Sequence, residues 1–332
     1  MGMNSLKVAV VGATGLVGRK IIQVLEERDF QVGKLLPLAS KRSAGKEILF
    51  KGESIAVEEL TPDAFNGIDI ALFSAGGSIS KQFAPEAVKR NAVVVDNSSA
   101  FRMDENVPLI VPEVNGDRVS RHSGIIANPN CSTIQLVVAL KPLYDVYGFK
   151  RVVVSTYQSV TGAGQKGVGQ LEAELKNREP ESAAFPHRIA FNAIPHIDVF
   201  MDDDSTKEEW KMVHETKKIM DDPAIGVTAT CVRIPVLGGH SEAVNVELGK
   251  SFEIKDVMEL LKNAGGITVV DDIGNFEYPM PLMAEGKDDV FVGRIRRDTS
   301  IENGLNLWVV SDNLRKGAAT NAVQIAEILI KD

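Results

Sequence analysis

"KVAVVGATGLVGRKIIQVLEE", residues 7–27, decides the fold. The β-branched run Val8 to Val11 leads into a turn holding Gly12, Gly15 and Gly18, and a helical pattern follows through Arg19 to Glu27. Strand, glycine turn and helix in this order form the phosphate-binding start of a doubly wound α/β domain. The first glycine permits a tight turn, the second lets backbone approach a pyrophosphate, and the third allows close helix–strand packing. The helix N-terminus then offers N–H groups to the anion.

Beyond this start, apolar strands are predicted at residues 34–40, 68–75 and 92–99, with shorter ones at 109–115 and 124–129 and a helix at 81–91. Near-continuous apolar strands alternating with helices argue for a parallel sheet covered on both faces. After about residue 131 the pattern changes. Residues 151–159, 228–236, 241–249, 289–298 and 304–312 alternate apolar and polar side chains, which predicts a second α+β domain with a largely antiparallel sheet. Helices are predicted at 132–147, 206–222, 251–263 and 317–331, with a polar loop at 176–188. The last helix is expected to return to the first domain.

The chain has 332 residues, more than one core usually spans, so two domains are expected. A formal net charge of -8 speaks against non-specific binding of nucleic acid or an anionic membrane, so an anionic substrate needs a local cluster of Arg and Lys. Two cysteines exclude a disulfide framework and a cysteine-rich metal site, and no metal is expected. No apolar run reaches membrane-spanning length, and the start "MGMNSLKVAVVGATG" lacks a signal-peptide pattern. The myristoylation pattern fails at Leu6. A cytoplasmic protein is the economical expectation.

The end of the second strand suggests the cofactor. "PLASKRSAGK" has no acid between Leu38 and Lys46 to hold a ribose hydroxyl, whereas Ser40, Lys41, Arg42 and Ser43 suit a 2′-phosphate. NADP is therefore expected, the plainer alternative being a solvated basic loop. Cys131 follows Asn128-Pro129-Asn130 at the start of a helix, where dipole and N–H groups favour a thiolate and an oxyanion hole. Cys231, in mid-strand, reads as a small apolar residue. Among the histidines, His122, His187, His196 and His214 lie in polar or proline-flanked segments. His240 follows a Gly-Gly turn that would let it project from a loop as a base.

"NPNCSTIQ", "STYQSVTGAG", "EEWKM", "CVRIPVLGGHSE" and "WVVSDNLRKGAA", with "GATGLVG" and "DNSSAFR", together resemble the aspartate-semialdehyde dehydrogenase family over essentially the whole chain. The resemblance implies Cys131 as acyl-thioester nucleophile, His240 as acid/base and Gln158 as the residue orienting the substrate. It implies Arg233 on the substrate carboxylate, Glu208 on its amine, and Lys211 with Arg102 on phosphate. Cofactor neighbours would be Thr14, Gly15, Leu16 and Val17 in the glycine turn, then Arg42, Ser43, Thr161, Gly162 and Asn313. Without the resemblance, the i, i+3 spacing of Glu208 and Lys211 favours an ordinary surface ion pair. The implied reaction is NADPH-dependent reduction of L-aspartyl 4-phosphate, on the route to lysine, methionine and threonine, in a homodimer or homotetramer. The expected domains are 1–131 plus 317–332 for NADP, and 132–316 for catalysis and dimerisation. The alternatives are an N-acetyl-gamma-glutamyl-phosphate reductase-like enzyme and a non-catalytic NADP or redox sensor.

Overall fold

A computed structural model describes residues 6–331, so Met1–Ser5, on which part of the leader reading falls, lie outside it. The chain divides into two compact units, Met1–Pro129 with Ala318–Asp332, and Asn130–Gly317.

The first unit is built on a six-stranded parallel sheet of order β5-β2-β1-β6-β7-β8. The strands are β1 (Leu6–Val11), β2 (Val32–Ala39), β5 (Glu58–Glu59), β6 (Ile70–Phe73), β7 (Val93–Asp96) and β8 (Ile125–Ala127). Side chains of β1 alternate between two buried layers. Val8 and Val10 join Ile21, Leu25, Val323 and Ala326, from α1 (Leu16–Glu27) and α9 (Thr320–Leu329). Ala9 and Val11 join Phe73, Ala84 and Ala87, the last two from α2 (Gly77–Lys89). Burial on both faces explains why these strands read as unbroken apolar runs. The strand order reverses at β1, so the glycine turn after Val11 lies at the switch point, where α/β sheets bind ligands.

Two local features depart from the sequence reading. Residues 109–115 do not form a strand: only Leu109 bridges to Ala127, and α3 (Pro112–Asn115) follows. Pro112 at the first helical position has no N–H to give a ladder, and the Asn115 amide instead accepts from Val111 N–H and donates to Leu109 C=O. A hairpin of β3 (Glu47–Phe50) and β4 (Glu53–Ala56) was not expected. Its turn residues Lys51 and Gly52 both have positive φ, 49° and 80°, the conformation that tight hairpins require.

The second unit holds a six-stranded sheet of order β10-β9-β11-β14-β13-β12. These are β9 (Phe149–Gln158), β10 (Gly226–Arg233), β11 (His240–Leu248), β12 (Ile267–Val269), β13 (Val290–Asp298) and β14 (Gly304–Ser311). The sheet is mixed, because β9 and β10, and β12 and β13, run parallel, while the three central pairings are antiparallel. The largely buried α4 (Cys131–Tyr147) packs on this sheet. The remaining helices are α5 (Gln165–Leu175), α6 (Lys207–Met220), α7 (Ile254–Lys262) and the short α8 (Pro281–Ala284); α5 was not expected. Among the described residues, no helix is long and apolar enough to cross a membrane.

Candidate active site

The second unit gathers nine of the expected site residues: Cys131, Gln158, Thr161, Gly162, Glu208, Lys211, Arg233, His240 and Asn313. Cys131 is the first residue of α4 and is half-buried. Asn130 caps the helix, its side-chain oxygen accepting from Ser132 N–H (3.0 Å) and Thr133 N–H (3.3 Å). The Asn130 backbone N–H donates to Glu215 Oε2 at 2.7 Å. The chain crosses this position at Gly317, where a Cβ would lie 2.9 Å from the Cys131 Cβ. Only glycine passes there without moving the cysteine.

Glu208 and Lys211 do not form the surface pair that spacing alone favoured. Their side chains are only 6 and 12 % exposed, and Lys211 Nζ lies 3.0 Å from Glu208 Oε2 and 2.8 Å from Asp198 Oδ2. Glu208 Oε1 accepts from Asn130 Nδ2 (2.9 Å) and Gln158 Nε2 (3.1 Å). Burial pushes the Glu208 carboxyl up, but the Lys211 charge and these donors outweigh it and hold it at about 2. Lys211 is likewise driven down by burial and raised more strongly by Glu208 and Asp198.

His240 is the first residue of β11, paired with Ser311, and so is fixed in the sheet rather than projecting from a loop. Gly239 before it, at φ +79°, makes the turn. The imidazole is fully buried. Ser159 backbone N–H donates to Nδ1 at 3.1 Å. A backbone N–H can only donate, so Nδ1 is the acceptor and the neutral ring carries its proton on Nε2. Nε2 has no hydrogen-bond partner. Burial, then the nearby Arg233 charge, depress the imidazole pKa to about 3. Arg233 is buried, with Nη1 donating to Ser159 C=O at 2.6 Å. A Cβ at Gly162 would lie 2.7 Å from Arg233 Nη1 and 3.4 Å from His240 Nε2, so both groups border the same glycine. Asn313 Oδ1 accepts from Ser159 Oγ, Thr161 Oγ1 and Gly239 N–H, fastening both flanks of His240.

Asn130, Ser159 and Glu215 escaped the sequence reading as site residues. A capping signal could have found Asn130. Ser159 and Glu215 carry no local signal, because their partners are distant in the chain. Cys231 is fully buried, and burial pushes its thiol pKa up. His122 accepts from Gly124 N–H, while His196 stacks on Phe200 and His214 lies tilted against Trp210. Among the described residues no cluster of His, Cys, Asp and Glu could hold a metal ion.

In the first unit, Gly12 has φ +82°, and a Cβ at Gly18 would lie 2.2 Å from Gly12 C=O. Gly15 begins α1 without a side-chain cap, and the first turn has no acid. Backbone so closely approached, with an uncapped and acid-free helix start, fits a pyrophosphate. Lys41–Ser43 form a single turn after β2, with Ser40 and Arg42 exposed and Ser43 buried. β5 sets Glu58 and Glu59 beside Leu38 and Ala39, carboxylates that a linear reading cannot place there. Arg102 is buried, with Nε donating to Asn128 C=O (2.9 Å) and Nη2 to Asn97 C=O (2.8 Å).

A dinucleotide turn at the switch point of a doubly wound sheet, joined in sequence to a mixed-sheet unit of buried charged and polar residues, defines the class of nicotinamide-dependent oxidoreductases. Residues 7–122 match the semialdehyde dehydrogenase NAD binding domain, and residues 140–316 the semialdehyde dehydrogenase dimerisation domain. The chain belongs to the aspartate-semialdehyde dehydrogenase family. It is 59% identical to the aspartate-semialdehyde dehydrogenase of Aquifex aeolicus, covering 98% of each chain. It is 55% identical to that of Bacillus subtilis, over 99% of this chain and 98% of the relative. The solved structure of aspartate semialdehyde dehydrogenase II from Vibrio cholerae, complexed with ASA, matches with a TM-score of 0.95 at 49% identity, covering 99% of each chain. The NADP-bound enzyme of Candida albicans matches with a TM-score of 0.78 at 26% identity, over 98% of this chain and 99% of that one.

Proposed function

We propose that this chain reduces L-aspartyl 4-phosphate to L-aspartate 4-semialdehyde with NADPH, releasing phosphate, on the route to lysine, methionine and threonine. The observation that carries this is Cys131 at the capped start of α4, in the same unit as a neutral His240 and a buried Arg233. Gly12, Thr14, Gly15, Leu16 and Val17, with Ser40, Arg42, Ser43, Thr161, Gly162 and Asn313, are the residues proposed for NADP. The bound nicotinamide supplies the hydride.

Cys131 sulfur attacks the acyl phosphate carbon and phosphate leaves, with Arg102 and Lys211 holding it; Lys211 then exchanges Asp198 for phosphate. The resulting thioester is held by Arg233 on the α-carboxylate, by Glu208, ionised at neutral pH, on the ammonium, and by Gln158 near the acyl carbon. When hydride reaches that carbon, the carbonyl oxygen becomes an alkoxide. His240 donates to it from Nε2–H, so the acid/base role narrows to that of a hydrogen-bond donor in the resting tautomer. Collapse of the alkoxide expels the Cys131 thiolate and frees the aldehyde.

The chain carries the family's dimerisation domain, and a homodimer, or a tetramer built from dimers, is proposed; sedimentation velocity measures which. The activity test runs in the reverse direction: aspartate semialdehyde, phosphate and NADP, watching NADPH absorbance. Phosphate-dependent NADPH formation is expected. N-acetylglutamate semialdehyde in the same assay should give far less, since its acetylated nitrogen offers Glu208 no cation. No turnover with either substrate defeats the proposal and leaves the redox-sensor reading.

A further inference from the structure

The segment after α5 brings an aromatic ring to Arg233. On α5, Gln170 and Glu174 are one turn apart and buried. Gln170 Oε1 accepts from Ala184 N–H (2.7 Å) and Phe185 N–H (2.9 Å). Glu174 Oε2 accepts from Ile189 N–H and Ala190 N–H, both at 2.8 Å. The two side chains are joined, Gln170 Nε2 donating to Glu174 Oε1 at 2.8 Å. Four backbone amides of a segment without regular structure are thus held by one pair of side chains. A carboxylate taken out of water is retained when it receives several such bonds.

The held segment ends on Arg233. Arg233 Cζ lies 5.7 Å from the centre of the Phe185 ring. Further on, Ile194 and Arg233 exchange backbone hydrogen bonds of 2.9 and 2.8 Å, capping the end of β10. Phe185, Ile189, Ala190 and Ile194 share one apolar cluster with Val160 and Leu171. The Arg233 guanidinium is therefore fixed by Ser159 C=O, faced by Phe185 and bordered by Gly162, while Nε has no partner.

We infer that Phe185, locked by the Gln170–Glu174 pair, is a positioning residue that orients Arg233 for the substrate carboxylate, and so sets affinity for the amino-acid end of the substrate. This rests on the proposed role of Arg233. A buried guanidinium has a costly charge and many rotamers; an aromatic face on one side lowers both the desolvation and the ordering cost of using it.

Steady-state kinetics with aspartate semialdehyde, phosphate and NADP test this in four proteins. Arg233→Lys should raise the KM for aspartate semialdehyde about ten- to a hundredfold, the loss expected for a two-pronged charged contact. Phe185→Leu keeps apolar bulk but removes the ring, and should raise the same KM roughly three- to thirtyfold while kcat and the KM for NADP stay within about twofold. Phe185→Tyr should restore it. Phe185→Leu placed on Arg233→Lys should add less than about twofold, because the two act through one contact. If Arg233→Lys leaves the substrate KM unchanged, the role of Arg233 fails and the inference falls with it. If Arg233→Lys behaves as expected but Phe185→Leu does nothing, harms NADP equally, or adds in full to Arg233→Lys, the positioning role is wrong and that of Arg233 stands. A Tyr variant as poor as the Leu variant also overturns it.

Discussion

At the scale of single residues, the two cysteines differ through burial and position alone. Cys131 heads a capped helix and is half-buried, while Cys231 sits in the core with its thiol pKa raised by burial. Cys131→Ala should abolish NADPH formation while NADP binding, read by fluorescence titration, persists; Cys231→Ala should stay active. An active Cys131→Ala protein would remove the thioester from the mechanism. His240 carries its proton on Nε2, and burial with the Arg233 charge lowers its pKa to about 3, so a kcat flat across neutrality is expected. Loss of the donor in His240→Ala should cost on the order of 100- to 1,000-fold in kcat. His240→Gln, which keeps an N–H at the same reach, should recover part of that loss, and its kcat should stay flat over the neutral range. A wild-type kcat that falls with an imidazole-like pKa lost in His240→Gln would show instead that His240 works as a titrating base. The place of Cys131 at a helix start was legible because the Asn-Pro-Asn turn and a helical pattern flank it, whereas His240, expected on a loop, begins β11. Asn130 was legible only as a helix cap, and Ser159 and Glu215 were not legible, since His240, Asn313 and Asn130, their partners, lie far along the chain.

At the scale of elements, β2 and β11 carry separate consequences. The turn after β2 offers Arg42, and removing a charge-assisted hydrogen bond costs about 1.5–3 kcal/mol, or roughly ten- to a hundredfold in affinity. Arg42→Ala should weaken NADP by that factor and leave NAD almost unchanged, as paired titrations would measure. Equal weakening of both would make the turn structural and turn attention to Glu58 and Glu59 on the neighbouring strand. On β11, Glu242 is fully buried, with the Gln135 side chain as its polar neighbour. Burial raises its pKa well above 4.5, so the folded protein holds a proton that the unfolded chain releases. Over that interval the native state binds more protons, and stability contributed by Glu242 falls as pH rises. Glu242→Gln should melt higher than wild type at about pH 8, with the gap closing as pH falls toward the ordinary carboxyl pKa. A gap that is constant with pH would mean that Glu242 is not protonated in the fold. Strand periodicity found β11 and its partners, but a period of two cannot tell parallel from antiparallel neighbours. The parallel pairing of β9 with β10 follows from the long crossover through α5 and α6, which includes the polar loop predicted at 176–188.

For the whole molecule, the first unit is discontinuous in sequence. Its core layer on α1 is completed by Ala322, Val323, Ile325 and Ala326 of α9. Burying one aliphatic side chain contributes about 1.5–3 kcal/mol, so Val323 and Ile325 alone supply a sizeable part of the roughly 5–15 kcal/mol that holds a typical domain together. A chain ending at Gly317 should lose NADP binding and take up a hydrophobic dye such as ANS; retained NADP binding would show that α9 is dispensable. The same arrangement sets an order of events during synthesis. A ribosome delivers β1 and α1 before the whole of Asn130–Gly317, and α9 after it. At translation rates of about 5–20 residues per second, the wait lasts on the order of ten seconds or more. Through that interval Ile21, Ile22 and Leu25 lack the α9 side chains that share their core layer, while the later unit can already fold around α4. β1 and α1 thus wait on α9 for a finished core, although the unit made between them can be complete sooner.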